Sequence, residues 1–128
     1  MTVGTSTATG ILAPGVGTTS GTLTALSRVT FAAASSYKVD ANSTAGTADK
    51  LVAQGVTINT GAQFFFSDRG SGTLSSGTVL TLISNTATTA ISGRFANLAD
   101  GLTFTNAANT YRVSYHGGDG NDLTLTAQ

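Results

Sequence analysis

The chain has a single histidine, His116, which follows Tyr115 and precedes a glycine-rich stretch. Nucleophilic catalysis of the Ser-His-Asp kind needs an aspartate to orient the ring and a serine within hydrogen-bond reach of it. Serines are plentiful, but no Gly-x-Ser-x-Gly elbow presents one at a strand-to-helix turn. His116 is expected to be a solvated residue at a strand end, and no catalytic residue is assigned. A zinc site would need further ligands, and the chain has no cysteine, no glutamate and no second histidine.

The run Gly117-Gly118-Asp119-Gly120-Asn121-Asp122 matches the opening of a calcium-binding nonapeptide repeat. Stacked copies of such a turn offer carboxylate and carbonyl oxygens to a hard cation. Here there is one copy, and Thr124 fills the large apolar position while Leu123 and Leu125 flank it out of phase. The reading is a tight turn feeding the last strand, with no metal and no cofactor. Asp40, Asp49 and Asp68 line up if coils stack, as an acidic cluster on polysaccharide would, but each also sits where a turn-former is wanted. Phe64-Phe65-Phe66 cannot all face one way on a strand. Either Phe65 points outward, free to stack on a sugar ring or a neighbouring subunit, or a bulge buries all three.

Positioning these residues falls to short strands. Val29-Thr30-Phe31, Tyr37-Lys38-Val39, Val56-Thr57-Ile58, Leu102-Thr103-Phe104, Tyr111 to Tyr115 and Leu123-Thr124-Leu125 each place apolar residues two apart with a polar residue between. Gly, Ser, Asn and Asp fill the gaps, notably at Pro14-Gly15, Thr18 to Gly21, Ser43 to Ala48 and Ser67 to Gly72. Ala90 to Ala99 carries a weak helical spacing that Gly93 and Ser92 interrupt, so it reads as a loop with at most one turn. Tyr37, Tyr111 and Tyr115 read as core residues with hydroxyls reaching the surface.

The whole is an all-β domain of 128 residues, 40% hydrophobic and 9% charged, with zero net charge. Such a balance offers nothing to nucleic acid or to an anionic membrane. No apolar stretch is long enough for a spanning helix, and Met1 to Gly10 lacks the basic-then-apolar order of a signal peptide. Strands of three to five residues, with only two Lys and one Pro to guard sandwich edges, favour parallel stacking. On that reading Val39, Ile58 and Leu82 occupy the core in successive coils.

The ordered succession Leu12-Ala13-Pro14-Gly15, Gly21-Thr22-Leu23-Thr24, Val29-Thr30-Phe31, Tyr37-Lys38-Val39, Asp49-Lys50-Leu51-Val52 and Gly55-Val56-Thr57-Ile58 resembles the passenger regions of autotransporters. It is especially similar to the autotransporter-associated β-strand repeats of bacterial surface proteins. Gly93-Arg94-Phe95, Tyr111 to Tyr115 and Gly118 to Leu125 follow in the same order. The resemblance implies a short right-handed parallel β-helix (a β-solenoid) with about three short strands per coil, secreted or displayed on a cell surface. It implies no shared active site.

The expected function is therefore structural: a stiff, non-catalytic rod whose partners are copies of itself or neighbouring repeats of a longer chain. Neither end of the sequence looks like a polar cap. Leu12, Leu123, Thr124, Leu125 and Thr126 are the expected assembly edge, with the last coil of one subunit stacking on the first of the next to give a head-to-tail filament. Lys or Pro at Thr124 and Thr126 would block that growth. The alternative is a carbohydrate-binding or adhesin module that holds polysaccharide through Phe65.

Overall fold

The computed structural model describes residues 1–15 and 19–128. Thr18, at the start of one expected turn, lies outside the described residues. The chain is all-β, with thirteen strands and no helix among the described residues.

Three strand rows organise residues before Thr86. The first contains β1 (Thr2–Val3), β4 (Val29–Phe31) and β8 (Val56–Ile58), paired in parallel through Thr2, Thr30 and Thr57. The second contains β2 (Ile11–Leu12), β5 (Ser36–Asn42) and β9 (Gln63–Asp68), also parallel, through Leu12, Tyr37 and Phe64. The third contains β3 (Thr22–Ala25), β7 (Lys50–Ala53) and β10 (Val79–Asn85), parallel through Leu23, Leu51 and Ile83. A short strand, β6 (Thr47–Ala48), folds back antiparallel on β5. The alternation read in the sequence holds: Tyr37, Val39 and Ala41 point inward from β5 while Lys38 is exposed.

The C-terminal part departs from parallel stacking. β11 (Thr103–Asn106), β12 (Asn109–Gly117) and β13 (Asp122–Ala127) run antiparallel, and β13 pairs antiparallel with β10. The third row thereby becomes a six-stranded sheet in the order β11-β12-β13-β10-β7-β3. The sheets are mixed, so a uniform parallel solenoid is not what the chain forms. The reason lies in β12 and β13, nine and six residues long, joined by a tight glycine turn. Such a hairpin closes locally, whereas parallel pairing requires a crossover.

Val39, Ile58 and Leu82 are core residues, but they sit in three different rows rather than in successive coils of one. Residues 90–99 form an irregular segment without a helix, and from it Ile91, Phe95 and Leu98 enter the core. Phe95 meets Phe31 at 5.1 Å, and Tyr37 and Phe64 each at 5.9 Å between ring centres. That segment lids the aromatic centre of the domain.

Candidate functional site: the two ends of the strand rows

Every strand row has two edges, and an edge strand presents unpaired N–H and C=O groups. The edge formed by β8, β9 and β10 is covered over most of its length. Ser92 pairs with β8, accepting from Ile58 N at 2.7 Å and donating to Val56 O at 3.0 Å. β10 is covered by β13. β9 is covered by side chains. The Asn97 amide accepts from Phe64 N at 2.8 Å and donates to Phe64 O at 2.7 Å, as a paired strand residue would. Asn106 accepts from Asp68 N at 3.1 Å, and Asn109 bridges Leu74 N and Gly72 O at 2.7 and 2.9 Å.

The opposite edge, formed by β1, β2 and β3, has no such cover among the described residues. Lys50 N donates to Gly21 O and Ser36 N to Gly10 O. By alternation, the main-chain groups of Thr22, Thr24 and Ile11 therefore point away from the neighbouring strand. Ile11 is 65% exposed, Leu26 89%, and Met1 is also open.

This asymmetry corrects the expected assembly edge at one of its two sides. Leu12 lies on the open edge in β2. Leu123, Thr124, Leu125 and Thr126 lie in β13, which is hydrogen-bonded on both sides, to β12 and to β10. Leu123, Thr124 and Leu125 are buried and Thr126 is half-buried. The last strand in sequence is not an edge strand in the fold: β13 inserts between β12 and β10. The asparagines that do the covering were missed, because Asn in a loop reads as a turn-former. The asparagines that follow Phe64-Phe65-Phe66, at 97, 106 and 109, are the available signal.

The other candidates are placed as follows. Phe65 points outward on β9, 54% exposed, beside its register partner Lys38. Asp40 pairs with Arg69 at 3.4 Å. Asp68 takes the N–H groups of Ser43 and Gly70 at 3.0 and 2.9 Å. Asp49, buried, takes those of Gly21 and Asp40. Each of these carboxylates is occupied locally rather than gathered with the others. His116 is exposed, with Nε2 3.5 Å from Asp100 Oδ2, while Ser114 Oγ accepts from the His116 main-chain N–H. Asp100 Oδ1 is in turn held by Tyr115 N at 2.9 Å.

In the glycine turn, Asp122 Oδ1 accepts from Asn85 N at 2.8 Å, and Asn121 donates to Ala87 O and Thr89 O. Both side chains thus pin the turn to the segment after β10. Gly118, at φ 59°, lies against the Asp122 carboxylate, where a Cβ has no room. With Asp122 Oδ1 and the Asn121 NH2 committed to the chain itself, calcium is expected to add no stability. A ligand at a hundred times its dissociation constant would add about 2.7 kcal/mol, so the expected result is an unchanged melting temperature in millimolar calcium and in chelator.

The tyrosine hydroxyls do not reach the surface as expected. Tyr37 donates to Leu82 O at 2.6 Å and Tyr115 to Leu98 O at 2.7 Å, and all three tyrosines are buried. Burial pushes the Tyr115 phenol up to about 12, and Tyr37 and Tyr111 are raised by the same cause. A folded-state value above the ordinary one means stability that is complete below about pH 10 and lost as pH rises through the folded value. Ultraviolet titration should therefore show no phenol ionising at the ordinary value in the native protein. A tyrosine step at that pH without unfolding contradicts this.

A groove of about 250 Å³ opens beside Phe66 and Phe104, but the amides that line it, Asn97 and Asn106, are already bonded to β9. It offers apolar surface without convergent free polar groups. No helix among the described residues is long and apolar enough to cross a membrane. Comparison of the chain with protein-family models, with curated proteins and with solved structures gives no match.

Proposed function

We propose that the chain is a non-catalytic structural module of a secreted or cell-surface bacterial protein, a stiff β-stack closed at one end and extended through the other. The observation that carries this reading is the difference between the two edges. One is sealed by Ser92, Asn97, Asn106 and β13, and the other leaves Ile11, Thr22 and Thr24 unpaired. Sealing an edge with side-chain amides is costly in sequence and useless to a monomer that leaves its other edge open. It suits a unit that terminates a stack.

In the finer form of this proposal, the three parallel rows are the faces of a short right-handed β-helix whose coils are β1-β2-β3, β4-β5-β7 and β8-β9-β10, and the antiparallel hairpin is its cap. The resemblance to autotransporter-associated repeats supports that form, and with it the exterior location and the role of neighbouring repeats as partners. The scattered, locally bonded aspartates support the absence of catalysis.

The test is to extend each end. A second copy of residues 29–54 placed ahead of Met1 adds one strand to each open row. It should fold and raise the melting temperature, because each stacked unit contributes an interface. The same segment placed after Gln128 finds no free edge and should leave melting unchanged. An N-terminal copy that remains unfolded, or fails to raise the melting temperature, overturns the reading.

The exposure of Phe65 favours a second reading, a saccharide-binding surface on the outward side of β5 and β9, where Lys38 and Gln63 flank the ring. Retardation of the protein in polysaccharide-containing gels, abolished by Phe65→Ala, would support it. Equal mobility with and without polysaccharide would remove it.

A further inference from the structure

We infer that the groove beside β9 binds an acetamido group, of the kind an N-acetylated hexosamine carries, with the Phe66 main-chain N–H as its donor. The inference uses neither the open edge of β1, β2 and β3 nor the structural reading built on it. In β9, Gln63 N donates to Ser35 O at 2.9 Å and Arg69 N to Ala41 O at 2.7 Å, both toward β5. By alternation, the N–H and C=O groups of Phe64, Phe66 and Asp68 face the other way. Asn97 takes both groups of Phe64, and Asn106 takes Asp68 N. Between them Phe66 has one long contact, from Asn106 Nδ2 to Phe66 O at 3.5 Å, and its N–H meets no acceptor among the described residues. This is the gap in the cover of β9.

The gap opens on apolar surface. The groove that Asn97 and Asn106 flank is walled by the rings of Phe64, Phe66 and Phe104 and by Leu98 and Leu102. Phe66 and Phe104 stand edge to face, 5.8 Å between ring centres. Leu98 is buried, while Phe104 is half-buried and Leu102 exposed, so the groove is open on the β11 side. None of its lining residues is charged, which suits a neutral ligand. One donor set among rings calls for one acceptor with apolar atoms attached. An acetamido group has that make-up: its carbonyl accepts from Phe66 N–H and its methyl lies against the rings.

Two features favour a pendant group over a peptide strand. A peptide added to β9 would also need the outward groups of Phe64 and Asp68, and the two asparagines hold those. The groove measures about 250 Å³, below the roughly 300–1,000 Å³ of pockets for larger ligands, so it admits a group and not an extended chain. Asn97 is exposed and spends one amide hydrogen on Phe64 O, which leaves the second for a sugar hydroxyl at the mouth.

The experiment is a titration of the whole chain followed by proton–nitrogen correlation spectra. The probe is methyl N-acetyl-β-glucosaminide, and methyl β-glucoside is its counterpart without the acetamido group. The expected result is a saturable shift of the Phe66 N–H with the first sugar and none with the second. Before any sugar is added, the Phe66 N–H should exchange with solvent faster than those of Phe64 and Asp68. Phe104→Ala should weaken binding by about tenfold, the upper end of what an aromatic contact contributes. Phe65→Ala, whose ring points to the opposite side of β9, should leave binding unchanged, which separates this site from the Phe65 surface. No shift up to the solubility limit of the sugar overturns the inference, as does an equal shift with methyl β-glucoside or binding that Phe65→Ala abolishes. A shift at Phe66 with an N-acetylated peptide but not with the sugar overturns it in favour of a peptide ligand. If Phe104→Ala fails to fold, the two titrations of the wild-type chain decide.

Discussion

Replacing Phe95 with alanine should lower stability by about 4 kcal/mol, the range found for emptying a buried aromatic site, and melting by roughly 15 °C for a chain of this size. Phe95 is the only aromatic supplied by the segment between β10 and β11, and it touches Phe31 from the first row and the register partners Tyr37 and Phe64 from the second. Its main-chain N–H also donates to the Tyr115 hydroxyl at 3.2 Å. The site is enclosed by strands on which little can move inward, so the cavity persists. Phe95→Leu retains most of the volume and should recover more than half of the loss. Thermal melts followed by near-ultraviolet circular dichroism check both. A Phe95→Ala protein melting within a few degrees of wild type would mean that the segment is not part of the core.

The second large effect is expected at Asp49. The two carboxylate oxygens are held by different main-chain donors, Gly21 N at 2.9 Å and Asp40 N at 3.0 Å, and Asp49 N donates back to Asp40 O. This one buried side chain ties the loop before β3 to β5. Gly15 packs so closely on the carboxylate that a Cβ there would collide with it. Asp49→Ala strands two N–H groups away from bulk water. Hydrogen bonds to charged groups contribute roughly 1.5–3 kcal/mol each, and relief of the buried charge offsets part of that loss. A net loss of about 3 kcal/mol follows, some 10 °C in melting temperature. Asp49→Asn keeps one acceptor oxygen but turns an NH2 toward the other donor, so it should fall between. Calorimetry on the three proteins gives the order directly, and Asn melting below Ala would contradict it.

How much of this was legible follows from what each feature requires. Val29 to Phe31, Tyr37 to Val39 and Val56 to Ile58 are strands in the sequence and in the fold, because alternation reports a two-sided surface wherever the strand is placed. Pairing direction was legible only in part. Short triplets separated by turns pointed to parallel rows, and β1 to β10 pair that way apart from the short β6. At Tyr111 to Tyr115 the same five-residue pattern belongs to a nine-residue hairpin strand. Periodicity is identical for the two cases; what differs is the partner, and the partner is a tertiary fact.

The ends were least legible. Leu123-Thr124-Leu125 near the terminus looks unprotected in sequence, yet its strand is enclosed on both sides. Protection of β9 comes from Asn97 and Asn106, residues whose type says only that they bond well to main chain. Whether an asparagine makes a turn or seals a strand depends on what lies across from it. Phe95 is hidden for a related reason: its burial is set by three rings distant in sequence, and the weak helical spacing around it, interrupted by Ser92 and Gly93, does not say what it packs against.

Residue-resolved amide hydrogen exchange in dilute solution tests the central asymmetry most directly. Phe64 and Asp68 lie in the last strand of their row, and their outward N–H groups should nonetheless be protected, because Asn97 and Asn106 accept from them. Thr24 and Ile11, on the first strands of their rows, should exchange close to the rate of an open chain. Loss of protection at Phe64 in Asn97→Ala, with Val39 unaffected, would place the seal in that side chain. Equal, rapid exchange at Phe64 and Thr24 in the wild-type protein would contradict the account, since both ends would then be open.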